Sequence, residues 1–303
     1  MTLDLSADEV ERRYRVTHRT EYRYEQPMTD GYTVAHLLPR DTPLQRVEEA
    51  TVEIEPDPAE YDEFTDVFGN RVTQFGVHRP HDHLVVESRS VVVLTPNTGL
   101  GPGEPWEDVA ALVRDARDET ALAVAPFRAS CQLVDLRRFG AELAAIVAPV
   151  MVPGRGVIDV ARELCHLVHT QFAFDPTSTD VSTPLGEVLA NRRGVCQDFA
   201  HLTVGCLRAY GLAARYVSGY IETEPPPGQE RLVGADASHA WCSVWSPGVG
   251  WVDFDPTNDH LPVIRHVTVG WGRDYGDVTP VRGVVIGPSA AQTLAVAVDV
   301  APL

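Results

Sequence analysis

The amino-acid sequence predicts an α+β protein, with a β domain first, then helices, then strands. Three observations predict it. Residues 12–100 alternate apolar and polar side chains at period two, in short runs between turn clusters. Helical spacing replaces that alternation after a Gly- and Pro-rich stretch at 97–105. Strand patterning returns from about residue 214, and helices followed by strands belong to α+β folds.

Taken in order, the first strand carries Tyr14, Val16, His18, Thr20, Tyr22 and Tyr24 against Arg, Thr and Glu. Further strands are expected at Gly31–Leu38, Val47–Ile54, Val72–His78 and Leu84–Leu94. Pro56-Asp57-Pro58 and Phe68-Gly69-Asn70 mark turns between them, and this spacing predicts a sandwich-like domain over residues 1–100. Residues 101–150 read as a helical connector, with helices at Trp106–Ala125 and Leu133–Val150. The remainder, 151–303, opens with a helix at Val157–Phe172. A short helix follows Pro184 and ends near Asn191. The next runs from about Cys196 to Tyr210, with Gly211 beyond its end. Strands are then expected at Ala214–Glu222, His239–Trp245, Trp251–Phe254, Ile264–Val269, Val281–Ile286 and Thr293–Val298. Pro225-Pro226-Pro227-Gly228 reads as an exposed loop.

Composition narrows the function. The chain has 303 residues, enough for two modest domains, and 44% hydrophobic with 22% charged content excludes disorder, collagen and coiled coil. Lys+Arg total 25 against 43 Asp+Glu, so the net charge of −18 argues against nucleic-acid binding. Every basic residue is Arg, as a GC-rich genome favours. Cysteines stand at 131, 165, 196, 206 and 242. That odd number, without a C-x-x-C, speaks against a disulfide framework or structural zinc and for a reducing compartment. The first residues lack the apolar core of a signal peptide, and no apolar run is long enough to span a bilayer. A cytoplasmic protein without membrane contact is expected.

Chemistry concentrates in three segments. Gly194 marks a turn and Cys196 opens a helix that is apolar almost all round, through Phe199, Leu202, Val204 and Leu207. A Cys in a first turn feels the positive helix end, which favours thiolate, and unpaired N–H groups there can hold an oxyanion. The alternative reading is a buried structural Cys. On the strand Ala237–Trp245, His239 shares a face with Trp241. In Gly250–Asn258 a short strand ends at Asp255, before Pro256. Two adjacent antiparallel strands would set Asp255 beside His239, with the imidazole serving Cys196: the logic of a cysteine acyl-transfer triad. Alternation points Asp253 the same way as Asp255.

These three segments, GVCQDFAH, ASHAW and GWVDFDPTN, resemble the signatures of the transglutaminase-like superfamily. So do FAFDPTSTDVSTPLGEVL, ARYVSGY and VGWGRDYGDVTPVRGV, the last typical of a bacterial branch. RYRVTHRTEYRYEQPM and HLLPR resemble that branch's N-terminal β domain. The resemblance implies a papain-like core with Cys196 as nucleophile, His239 as base and Asp255 as orienting carboxylate. It also implies a peptide or protein substrate, no cofactor, and an ATP-grasp peptide-forming enzyme and an α-helical protein as partners. Animal transglutaminases draw an oxyanion donor from an upstream Trp. Here the upstream aromatics are Phe172 and Phe174, which cannot donate. The Cys196 amide must serve, with Asn191 or Gln197 as side-chain candidates. Asp198, His201 and Trp241 are further cleft candidates, although an acid early in a helix also compensates its dipole.

Other clusters carry less. His78, His81 and His83 lie in a β-domain turn without an acidic or Cys complement for a metal. His166 and His169 read as surface or cleft-edge residues. Asp62, Glu63 and Asp66 lack calcium-loop spacing. Core packing is the reading for Tyr216 and Tyr220. The expected function is hydrolysis of an amide or peptide bond through a thioester. Transamidation at Gln and a non-catalytic peptide-binding module are the alternatives.

Overall fold

The structure is a computed structural model that describes residues 11–96, 99–115, 117–177, 183–223, 237–262, 264–288 and 291–303. The expected loop at 225–228 lies outside them. Six strands come first: β1 (Arg12–Met28), β2 (Asp30–Ala35), β3 (Gln45–Glu55), β4 (Glu60–Thr65), β5 (Arg71–Val77) and β6 (His81–Leu94). β4 has no sequence signal because all six of its residues are exposed, so no apolar alternation forms. It is an acidic sheet edge, a composition that discourages pairing with another chain.

The helical region holds α1 (Trp106–Asp115), α2 (Glu119–Val124), α3 (Leu136–Val147), α4 (Val157–Gln171), α5 (Leu185–Asn191) and α6 (Cys196–Ala209). The single helix expected over 106–125 is two helices. The second passes into a 3-10 turn at Ala125–Arg128, where Pro126 lacks the N–H to continue an α-helix. Asp135 caps α3, accepting from Arg137 N at 3.0 Å and Arg138 N at 3.3 Å. Leu143 and Val147 of α3 share one core with Leu164 of α4 and Leu207 of α6, so the connector is part of the helical layer. Two-residue strands β7 (Ala173–Phe174) and β8 (Arg193–Gly194) pair in parallel beside α6.

Behind α6 lies an antiparallel sheet of β9 (Ala214–Ile221), β10 (Ala237–Ser246), β11 (Gly250–Phe254) and β12 (His266–Gly272), in the order β11-β10-β9-β12. The last strands, β13 (Val281–Ile286) and β14 (Gln292–Pro302), depart from the expected 151–303 unit. They complete two sandwich sheets, ordered β14-β1-β6-β3 and β13-β2-β5-β4. The correction has a simple cause. Periodicity marks a strand but not its partner, and β1 and β2 each have an edge that only these strands fill.

The sandwich is fastened to the third sheet by polar contacts that explain the N-terminal motifs. Arg40 stacks its guanidinium 3.4 Å from the Trp271 ring centroid and donates to Asn70 Oδ1 at 2.7 Å. Asn70 accepts from Trp271 N at 2.9 Å and donates to Trp271 O at 2.8 Å. Gln45 grips Thr268 in the same two-sided way. Tyr14, Val16 and Val92 bury against Tyr220 and Val267. β12, the edge strand of the sheet that holds the site, is therefore clamped to the sandwich. No helix among the described residues is long and apolar enough to cross a membrane.

Candidate active site

Cys196 is the first residue of α6. Val195 enters it extended, and its N–H donates to Asp198 Oδ2 at 2.8 Å. That bond closes the helix start, and it needs Gly194. A Cβ there would stand 2.7 Å from Asp198 Oδ2. Asp198 is thus a buried cap of the helix start. The half-buried Cys196 packs against the buried cluster of Ala200, Tyr216, Ala240 and Val278, as does Tyr275.

His239 stands on β10 opposite Gly219 of β9, where a Cβ would come within 2.5 Å of the Trp241 ring. β11 pairs with β10 only as far as Phe254, opposite Cys242. Asp255 then leaves the ladder toward His239. Its Oδ2 accepts from His239 Nε2 at 2.7 Å, His266 Nε2 at 3.0 Å and Asn258 Nδ2 at 2.7 Å. Its Oδ1 accepts from Thr257 N at 2.9 Å and Asn258 N at 3.2 Å. Asp255 is fully buried, which by itself raises a carboxyl pKa. The His239 and His266 bonds outweigh burial and hold it well below the usual range. For His239, burial favours the neutral ring, but the Asp255 hydrogen bond and the Cys196 side chain push its pKa up to about 10. With Nε2 on Asp255, Nδ1 is the ring nitrogen left for the thiol.

The sequence expects Cys196, His239 and Asp255 at one site; His239 and Asp255 share the 2.7 Å bond, and the Cys196 side chain is among the groups that raise the His239 pKa. Asp253 is held elsewhere, accepting from Trp241 Nε1 at 2.9 Å and from Ser243 Oγ. Trp241 is fully buried behind His239, so it backs the site instead of lining a cleft. His201 is also buried. Its Nε2 accepts from Tyr275 N at 3.1 Å, and burial pushes its pKa down to about 4. It is a neutral anchor for the turn that carries Tyr275. Gln197 lies mostly buried in the first turn of α6, and Asn191 ends α5 at the surface.

His266 and Asn258 escaped sequence reasoning. Asn258 stands within the motif GWVDFDPTN, and His266 interrupts an apolar strand pattern; both were available signals. Ligand-type atoms of His239, Asp255 and His266 lie within 4.8 Å of one another, as two rings bonded to one carboxylate oxygen must. His166 Nδ1 bonds Asp259 Oδ2 at 2.8 Å and His169 Nδ1 bonds Thr257 O at 2.9 Å, so both pin the turn after Asp255. His78, His81 and His83 bond separately to Asp30, the Arg79 carbonyl and Asp82. Beside the Asp255 turn opens a cavity of about 390 Å³, lined by Phe172, Phe174, Phe199, Arg192, His169 and Thr257 among others.

Residues 14–93 match the bacterial transglutaminase-like N-terminal region and residues 144–256 match the transglutaminase-like superfamily. An uncharacterised protein of Mycobacterium tuberculosis (strain ATCC 25618 / H37Rv) is 44% identical over 301 residues, covering 96% of this chain and 93% of that one. A protein-glutamine gamma-glutamyltransferase of Pseudomonas aeruginosa is 35% identical over 106 residues, 34% of this chain and 16% of that protein. The fold is shared with a crystal structure from Cytophaga hutchinsonii, a suspected cysteine protease, at TM-score 0.75 and 17% identity. The match covers 97% of this chain and 91% of that one. With both regions matched and a relative similar along nearly its whole length, the chain belongs to the transglutaminase-like superfamily, with that superfamily's papain-like α+β core behind a bacterial-type N-terminal β region.

Proposed function

We propose that the protein is a cysteine acyl-transfer enzyme that hydrolyses an amide or peptide bond. The observation that carries this reading is the line from buried Asp255 through His239 to Cys196 at a helix N-terminus. His239 accepts the thiol proton at Nδ1, and the Cys196 sulfur attacks the carbonyl carbon. The oxyanion meets the Cys196 amide, which has no intrahelical acceptor in the first turn. Asn191 and Gln197 are the candidate side-chain donors there. The imidazolium then protonates the departing nitrogen and a thioester remains. Water, deprotonated by His239, releases the acid and restores the thiol. The aromatic cavity beside the Asp255 turn offers space for a substrate side chain.

A panel of peptides and Gln donors, run with Cys196→Ala as control, tests the reading. Shortened peptides or ammonia from the wild type alone support it. Turnover that survives Cys196→Ala overturns it. Similarity to a gamma-glutamyltransferase favours transamidation as the second reading. The sequence contains no Lys, so the enzyme cannot build Gln–Lys ladders of itself. Isopeptide ladders that form only with an added Lys-rich, Gln-bearing protein select transamidation; product without ladders selects hydrolysis.

A further inference from the structure

His266 opens β12 outside every motif read from the sequence, yet it donates to the same carboxylate oxygen as the proposed base. Its side chain is 1% exposed, and its Nδ1 has no hydrogen-bond partner among the described residues. Protonating Nδ1 would bury an N–H without an acceptor, and burial indeed lowers the His266 pKa despite Asp255 beside it. The ring is therefore neutral, with its one proton on Nε2. The titratable groups facing it are Asp255, His239 and His260, whose ring centroid lies 5.3 Å away; on β9 its opposite residue is Ile221. Trp241 meets it edge-on at 5.1 Å.

We propose that His266 is a positioning residue: as a fixed, neutral donor it keeps Asp255 ionised and aimed whenever His239 gives up its proton. The proposal rests on His239 being the base. During turnover His239 alternates between imidazolium and imidazole, and at each imidazole stage Asp255 loses its charged partner while remaining fully buried. Asp255 then rests on neutral donors alone, and a buried carboxylate that loses one of them is more readily protonated or turned away. Either change frees His239 to adopt the wrong tautomer, with its proton on Nδ1 facing the sulfur. His266 prevents this because its bond to Asp255 strengthens when His239 is neutral and weakens when His239 is charged. It therefore stabilises the neutral form of His239 more than the charged form. The clamp of the sandwich on β12, through Gln45–Thr268 and Asn70–Trp271, fixes where that donor stands.

The test compares wild type, His266→Gln, which keeps an N–H donor, and His266→Leu, which keeps bulk alone. Ring-nitrogen NMR of 15N-histidine-labelled protein, titrated from pH 5 to 11, reads tautomer and charge without a substrate. Expected are an Nε2–H tautomer for His266 at pH 7 and an upward shift of the His239 titration by about one unit in His266→Leu. His266→Gln stays within a few tenths of wild type. A His266 that titrates near its ordinary value, or a His239 titration unmoved in His266→Leu, overturns the proposal. A purely structural role would destabilise both variants without moving His239. Iodoacetamide labelling separates the underlying reading: if His239→Gln leaves the Cys196 labelling rate unchanged, it is the base assignment that fails.

Discussion

Five cysteines share one sequence, and their surroundings separate them. Burial pushes Cys131 up to about 11 and moves Cys165 and Cys206 further up, whereas Cys196 is half-buried and is among the groups that raise the His239 pKa to about 10. Iodoacetamide at about pH 6, well below the ordinary thiol pKa of roughly 8.5, is expected to label Cys196 first. Peptide mapping checks this, and prior labelling of Cys131, Cys165, Cys206 or Cys242 would remove the assignment. The two aspartates separate as cleanly. Asp255→Asn is expected to cut turnover by roughly 10³–10⁴-fold with the fold retained, because the His239 tautomer is lost. Asp253→Asn removes a partner of Trp241 and Ser243, so its cost is expected in thermal stability, with much less effect on turnover. The reverse pattern would make Asp253 the orienting carboxylate.

The element that matters most is α6, whose start fixes Cys196. Asp198 closes it by accepting from Val195 N, and Gly194 leaves room for that carboxylate. Replacing Asp198 with Ala is expected to cost about 1 kcal/mol of stability, the usual value of a helix cap, and to slow Cys196 alkylation. Asp198→Asn keeps an acceptor and should retain most of both. Denaturant unfolding and labelling rates read the two effects separately. If Asp198→Ala labels at the wild-type rate, the cap does not set the thiol's environment.

For the whole molecule, buried histidines oppose one another in their pH dependence. Burial lowers His18 and His201 to about 4, so the stability tied to their neutral forms is complete above about pH 6.5 and is lost as pH falls toward 4. His239 is raised to about 10, so its contribution is complete below about pH 6.5 and is lost as pH rises through 10. The unfolding midpoint should therefore peak near pH 6–7 and fall on both sides. Thermal scans across pH 4–10 check this. A midpoint still rising at pH 9 would show that His239 is not charged in the folded state.

Periodicity and motif determined much of this protein in advance. The β-rich start, the helical middle, α6 with Cys196 at its tip, the strand bearing His239 and the strand that ends just before Asp255 all follow from short-range patterns. Those patterns record which face of an element is apolar and where it stops. They do not record what lies across the gap. Only the tertiary structure decided that β13 and β14 return to β2 and β1, because sheet partners are chosen by edges left open hundreds of residues away. It set Asp255 against His239 and Asp253 against Trp241 and Ser243, because the strand leaves its ladder after Phe254, where alternation ceases to say which way a side chain points. It revealed His266 because the donor to Asp255 comes from a strand whose place is set by Asn70 and Gln45, about two hundred residues upstream. A buried carboxylate needs every donor that can reach it, and reach is a property of three dimensions.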